Sequence, residues 1–225
     1  MLVSALLTIR DLTHQFAGRT PIAFGSMTLD AGSILLVRGT SGCGKSTLLH
    51  LLGGVLPVAS GSGSVVIDGY ELAGMSARDR DHLRPAVVGW MPQRQFLING
   101  LSVLDNVLLP VLLNGKANAE MRARANGLLK DLAISELSDA RPATLSVGQA
   151  ARASLARALL TAPRLLLADE PTAALDETSS TLVAKQIISF ANEGGAAVVA
   201  SHDPHLRALL AAGAGEQFSE IGLPR

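Results

Sequence analysis

Apolar and polar positions along the chain alternate between two periods. Three short apolar runs, Ser33–Arg38 (SILLVR), Arg164–Ala168 (RLLLA) and Ala196–Ser201 (AAVVAS), each stop abruptly at polar residues or glycine. Continuous apolar runs of that length predict strands buried on both faces, as in a parallel sheet. Elsewhere the period is helical. Lys45–Leu52 predicts a helix after a glycine-rich stretch, and the Ala/Leu/Arg-rich Val147–Leu160 predicts another. Thr178–Asn192 carries Leu182, Val183, Ile187, Ile188 and Phe190 at helical spacing. Strands alternating with helices predict an α/β core whose mainly parallel sheet is covered on both faces.

The first third reads differently. Leu6–Phe16, Pro21–Leu29 and Gly63–Ile67 predict strands separated by Gly/Ser turns, hence an antiparallel flank. Val87–Met91 is a further short apolar stretch. Asn114–Ala140, where Glu120, Arg122, Arg124, Lys130 and Asp131 are scattered among Ala and Leu, predicts an inserted helical subdomain.

Composition narrows the function. The 225 residues are 48% apolar but only 3% aromatic, so Leu, Ala, Val and Ile must build the core. Lys+Arg and Asp+Glu are 19 each, a zero net charge that argues against an electrostatic nucleic-acid binder. Only 17% of residues are charged and the mean hydropathy is +0.34, which predicts a surface that meets a partner. The single cysteine, Cys43, excludes an internal disulfide and a cysteine-based zinc site, and fits the cytosol. Met1–Arg10 is apolar without a basic start and does not read as a signal peptide. Ser46–Ile67 lacks charges, but Gly53, Gly54, Pro57, Gly61 and Gly63 interrupt it. It reads as helix, loop and strand, so any membrane-spanning role falls to another chain.

Gly39-Thr40-Ser41-Gly42-Cys43-Gly44-Lys45-Ser46 fits G-x-x-x-x-G-K-[ST]. A polyphosphate needs several backbone N–H groups converging on it. Gly39, Gly42 and Gly44 remove the side chains that would block that approach. The helix that follows offers its free N–H groups and positive dipole end. Lys45 adds a mobile cation for the terminal phosphates, and the Ser46 hydroxyl is placed for Mg²⁺. A turn that merely caps a structural helix is the alternative; the strand pattern before it and helix pattern after it favour the phosphate cradle.

Leu165–Ala168 runs into Asp169-Glu170, two adjacent acids at a strand end, which repel unless a cation sits beside them. Asp169 can hold the Mg²⁺ hydration shell next to Ser46, and Glu170 can polarise a water for attack on a γ-phosphate. His202, just past Ala196–Ser201, comes to the same phosphates if that strand is the parallel neighbour. Gln93 after Val87–Met91 is uninformative by itself.

Taken together, these residues resemble the ATP-binding cassette (ABC) ATPases, the nucleotide-binding domains of ABC transporters, from about Leu7 to about Leu209. Gly39–Thr47 (GTSGCGKST) resembles Walker A, Leu165–Pro171 (LLLADEP) Walker B with its glutamate, and Leu145–Gln149 (LSVGQ) the signature. Gln93 resembles the Q-loop glutamine, Ala174-Leu175-Asp176 the D-loop and His202 the switch histidine. Phe16 falls where an aromatic stacks on adenine. Two departures stand out: Val147 replaces the usual signature glycine, and Ala150 and Ala151 replace the polar residues after it. Gln93–Leu113 is similar to the lipoprotein-release and macrolide-export branch.

The resemblance implies a P-loop NTPase cassette with a RecA-like core, an antiparallel β flank and a helical subdomain. The whole chain, 1–225, forms one such domain, with core and flank at about 1–92 and 160–225 and helical subdomain at about 93–159. It implies an ATPase binding ATP and Mg²⁺. Glu170, His202, Lys45 and Gln93 are the catalytic group, and Ser46, Gln93 and Asp169 the metal group. Phe16, Gly39, Ser41, Gly42, Cys43, Gly44, Lys45, Ser46 and Thr47 contact the nucleotide. Ser146, Gly148, Gln149 and Asp176 reach it from the other copy of a homodimer. A separate transmembrane permease and a place on the cytoplasmic face of the membrane follow, with no nucleic-acid partner. A regulator that pulls on a membrane protein without moving cargo uses the same residues and stays open.

Overall fold

The computed structural model of the chain describes residues 5–115 and 117–223. β1 (Leu7–His14) and β2 (Ile22–Leu29) pair antiparallel from Leu7–Leu29 to His14–Ile22. The ladder slips around Asp11, which takes a left-handed φ of 46° while its N–H donates to the Ser26 hydroxyl. β3 (Ile34–Arg38) runs into the glycine loop and α1 (Lys45–Leu52). β4 (Ser64–Ile67) and β5 (Tyr70–Glu71) complete a four-stranded antiparallel sheet in the order β2-β1-β4-β5. α2 (Ala77–Val87) then leads into β6 (Val88–Met91).

Three helices follow: α3 (Val103–Leu112), α4 (Ala119–Asp131) and α5 (Val147–Leu159). They pack on one another, and α5 also packs on β6. β7 (Leu165–Asp169), α6 (Glu177–Asn192), β8 (Ala196–Ala200), α7 (Pro204–Ala214) and β9 (Phe218–Gly222) close the chain. The second sheet has five strands in the order β6-β7-β8-β3-β9, and each neighbouring pair is parallel.

The three apolar runs are the inner strands β7, β8 and β3 of this sheet. Every residue of β7 and β8 is buried. Their side chains alternate between two cores, as the two-residue strand period requires. Ile34, Leu36, Leu166, Ala168, Ala197 and Val199 face the helices α3 to α7. Leu35, Val37, Leu165, Leu167, Val198 and Ala200 face α1 and the antiparallel sheet. α1 places Leu48, Leu49, Leu51 and Leu52, all buried, in the core it shares with the antiparallel sheet. Each such leucine stabilises the fold by roughly 1.5–3 kcal/mol.

The sequence expectation for Asn114–Ala140 needs correction. The helix α4 stops at Asp131; Ala133 takes a left-handed φ of 51°, and a short 3-10 turn, Ser135–Leu137, follows. α2 carries no apolar stripe and lies outside the periodic reading. It forms because Ser76 caps it, accepting from Asp79 N at 3.2 Å, and because it seals the end of α1. Arg84 donates to Gly53 O at 2.9 Å and Arg80 to Gly54 O at 3.1 Å, satisfying carbonyls a helix end leaves open.

Candidate functional site

The parallel sheet gathers chemistry at the carboxyl ends of four adjacent strands, where α/β sheets place their ligands. Gln93 lies two residues beyond Met91 of β6, and Met91 pairs with Ala168 of β7. Asp169 pairs with Ala200 of β8, and Glu170 follows it. Ser201 and His202 follow Ala200. Val37, two residues before Gly39, pairs with Ala200 from the other side. Residues far apart in the chain are thus brought to one edge by strand register alone.

Gly39, Gly42 and Gly44 take φ of 156°, 82° and 105°, in a loop that bends back on itself. At Gly39 even one added carbon would collide with Cys43 Sγ. Cys43 is buried beneath the loop, and its N–H donates to Thr40 O at 3.2 Å. Ser41 and Gly42 are exposed, and Thr47 is half-buried in the first turn of α1. The N-cap of α1 is Gly44, and no side chain caps the helix there. Its first N–H groups are therefore left for a ligand, which is what an anion site at a helix start requires.

Lys45 is held back within this loop. Its ammonium donates to Gly39 O at 2.8 Å and Thr40 O at 3.4 Å, and pairs with Glu170 Oε1 at 3.6 Å. Glu170 is the focus of the site. His202 Nδ1 lies 2.9 Å from its Oε1, and the Ser201 hydroxyl donates to its Oε2 at 3.2 Å. Glu170 also carries a left-handed φ of 46°, fixed by its N–H bond to Ala200 O at 2.8 Å. Such backbone costs about 1–3 kcal/mol and persists where surrounding contacts over-determine it.

Asp169 lies beside Ser46, whose hydroxyl favours the ionised carboxyl. Burial pushes its carboxyl above the usual range, and the charge of Glu170 pushes the same way; Ser46, His50 and Lys45 oppose this. A buried carboxylate in that condition favours a cation. Ser46, Asp169 and Gln93 together offer oxygen donors, the set a hard divalent ion prefers. Among the described residues, no three His, Cys, Asp or Glu side chains cluster for a metal, so such an ion needs further oxygens from a ligand.

The other sequence candidates find their partners elsewhere. Ser146 caps α5, accepting from Gln149 N at 3.2 Å, while Gln149 Oε1 accepts from Ser146 N at 2.8 Å. Among the described residues, no hydrogen bond or ion pair joins Ser146, Gly148 or Gln149 to the phosphate loop. Asp176 caps α6 through Ser179 N at 2.7 Å, which lowers its carboxyl pKa, with the Ser179 hydroxyl and the charge of Arg152 adding to the effect. Phe16 is partly exposed in the β1–β2 connection, edge-on to His14 at 4.6 Å. β2 itself presses on the loop, since a Cβ at Gly44 would meet Ile22 Cγ2 at 3.1 Å.

Several supporting residues escaped the sequence reading. Ser201 steadies Glu170 and accepts from Asp203 N at 3.1 Å. Asp203 caps α7 and takes the Thr172 hydroxyl at 2.8 Å. The Asp203-Pro204 pair was a legible helix-start signal. Arg157 and Asn106 pin the segment after Gln93. Arg157 donates to Gln95 O at 2.7 Å and Phe96 O at 3.1 Å. Asn106 accepts from Ile98 N at 2.6 Å and donates to Ile98 O at 3.1 Å. Phe96 and Ile98 remain exposed on that segment.

The family profile described as ABC transporter matches residues 25–173. The chain is 36% identical to the lipoprotein-releasing system ATP-binding protein LolD 2 of Caulobacter vibrioides, across 89% of this chain and 90% of that protein. It is 39% identical to the macrolide export ATP-binding/permease protein MacB of Neisseria meningitidis serogroup A, across 81% of this chain but 28% of that protein. This chain thus spans less than a third of the MacB relatives it matches. Its fold superposes with a TM-score of 0.81 and 27% identity on the dimeric post-hydrolysis state of the ATP-binding cassette MJ0796 bound to ADP and Pi, covering 97% of each chain.

Proposed function

The chain belongs to the ABC transporter family, and on that premise we propose that it binds and hydrolyses ATP as the energy-converting subunit for a separate membrane permease. Its work is of the export or lipoprotein-release kind. The observation that carries this reading is the meeting of Lys45, Glu170 and His202 beside the Ser46–Asp169 pair at one sheet edge.

Each residue has a role in that reading. The N–H groups of the loop and of the start of α1 receive the phosphates. Lys45 leaves the carbonyls of Gly39 and Thr40 and turns to the terminal phosphates. That frees the Glu170 carboxylate, which takes a proton from the attacking water. His202, already on Glu170 Oε1, orients that carboxylate and contacts the γ-phosphate. Ser46, Asp169 and Gln93 would hold Mg²⁺, which when bound neutralises charge on the phosphate oxygens. Phe16 lies against the adenine.

The helical unit at 93–159 and the cap of α6 carry the remaining contacts. Ser146, Gly148, Gln149 and Asp176 serve the nucleotide of a second copy, since among the described residues no hydrogen bond or ion pair joins them to Lys45 in their own chain. Two copies related by a twofold axis bring both sets to each ATP. Dimeric neighbours such as MJ0796 support this arrangement. No helix among the described residues is long and apolar enough to cross a membrane. In this reading the permease is a separate chain, and this protein lies against its cytoplasmic face, where the exposed Phe96, Ile98 and Leu113 form the apolar contact.

Calorimetric titration with ATP and Mg²⁺, together with phosphate release, tests the reading. Saturable binding and steady release are expected. Folded protein that takes up no ATP would overturn it.

A further inference from the structure

Gly148 is buried in the first turn of α5, between an exposed Ser146 and Val147 on one side and α6 on the other. A Cβ at Gly148 would stand 2.9 Å from Ser179 Oγ and 3.3 Å from Ser179 Cβ, with Leu175 Cδ2 at 3.8 Å. Ser179 is not free to turn away. It is 5% exposed, and its hydroxyl donates to Asp176 Oδ2 at 3.2 Å while its N–H donates to Asp176 Oδ1 at 2.7 Å. Arg152, one turn beyond Gly148, acts on the same carboxylate through its charge. It also donates to Leu132 O at 2.8 Å, tying the seam to the end of α4.

We propose that Ser179 is a positioning residue: the missing side chain of Gly148 exists for Ser179, and their contact seats α5 on α6. That seat fixes the N-terminus of α5 relative to Asp176, so both reach the second copy's nucleotide as one unit. The inference rests on the ATPase reading above. It narrows the role given to Gly148 above: Gly148 serves the second copy's nucleotide by seating α5, with the exposed Ser146 and Val147 beside it.

Four proteins test it: the unmodified chain, Gly148→Ala, Ser179→Gly and the double variant. ATP turnover and heat unfolding are measured on each. Gly148→Ala is expected to lower kcat at least tenfold with KM within threefold, because the phosphate loop is untouched. In the double variant the added methyl gains room, and kcat should return to within threefold of Ser179→Gly. A double variant as slow as Gly148→Ala overturns the proposal, since the nucleotide and not Ser179 then excludes the side chain. Unimpaired turnover in Gly148→Ala overturns it too. If the unmodified chain hydrolyses no ATP, the ATPase reading fails by itself and unfolding decides the seat. Alanine for glycine stabilises an unobstructed helix. Gly148→Ala must instead lower the midpoint, and the double variant must recover that of Ser179→Gly; a raised midpoint in Gly148→Ala overturns the proposal.

Discussion

Lys45 and Glu170 face each other at 3.6 Å with both side chains 9% exposed, joining the start of α1 to the end of β7. Neither group is simply stored there. The ammonium keeps two carbonyl partners and the carboxylate keeps Ser201 and His202, so each can release the other without being left bare.

Glu170→Gln should bind ATP with near-normal affinity and slow its hydrolysis by roughly 10²- to 10⁴-fold, the usual contribution of a positioned base. The amide still accepts from Ser201, so heat unfolding should move little. Accumulation of an ATP-loaded dimer in size-exclusion chromatography is the accompanying sign. Turnover at the unmodified rate would remove Glu170 from the base role.

Lys45→Ala should weaken ATP binding by about 10- to 150-fold, the loss of one charge-assisted contact of about 1.5–3 kcal/mol. Isothermal titration measures it directly. An unchanged affinity would dismiss Lys45 as the phosphate clamp.

His202→Ala separates chemistry from stability. The ring is 74% exposed, so its removal should change stability by no more than about 0.5 kcal/mol. Turnover should still fall roughly 10²-fold, as when one stabilising contact to a transition state is lost. Urea unfolding and a phosphate-release assay on the same preparation give both readings.

Asp169 sets a pH dependence with a definite sign. Burial raises its carboxyl pKa above the ordinary value of 3.8, helped by Glu170 and opposed by Ser46, His50 and Lys45. The folded chain therefore keeps this proton to a higher pH than the unfolded chain does. The ionised carboxylate costs stability: the cost is absent below the unfolded pKa, grows as pH rises, and is complete above the folded pKa. Asp169→Asn should remove that loss, raising the unfolding midpoint at pH 7 in the absence of nucleotide, and should abolish Mg²⁺-dependent turnover. A lower midpoint would contradict the sign.

Asn106→Ala strands the N–H and carbonyl of Ile98, both met by one fully buried side chain. It should cost about 1–3 kcal/mol in urea unfolding, two hydrogen bonds at roughly 0.5–1.5 kcal/mol each. Amide exchange should quicken through residues 98–102, the segment it pins.

Local chemistry made the centre of this protein readable. The glycines around Lys45, the acids ending an apolar run and the histidine after the next run state their business within a few residues. The parallel sheet followed from runs buried on both faces. What escaped was set by distant partners. α2 is a charged helix made stable by Arg80 and Arg84 reaching carbonyls of Gly53 and Gly54, some thirty positions away. β9, only Phe218–Gly222, exists because β3 offers it a parallel edge. The end of α4 turns on Ala133, a residue with no breaker character, held in left-handed backbone by Ile134 N bonding to Leu129 O at 2.9 Å. The contact of Gly148 with Ser179 joins two helices whose separation in sequence conceals it.

The absence, among the described residues, of any hydrogen bond between the α5 N-terminus and the phosphate loop of its own chain has a kinetic consequence. If every ATP needs both, an isolated molecule owns two halves of a catalyst and no whole one. Specific activity would then climb with protein concentration and fade on dilution. Tethering two copies beneath a shared membrane complex, at an effective concentration of roughly millimolar order, would make the rate insensitive to how scarce the protein is.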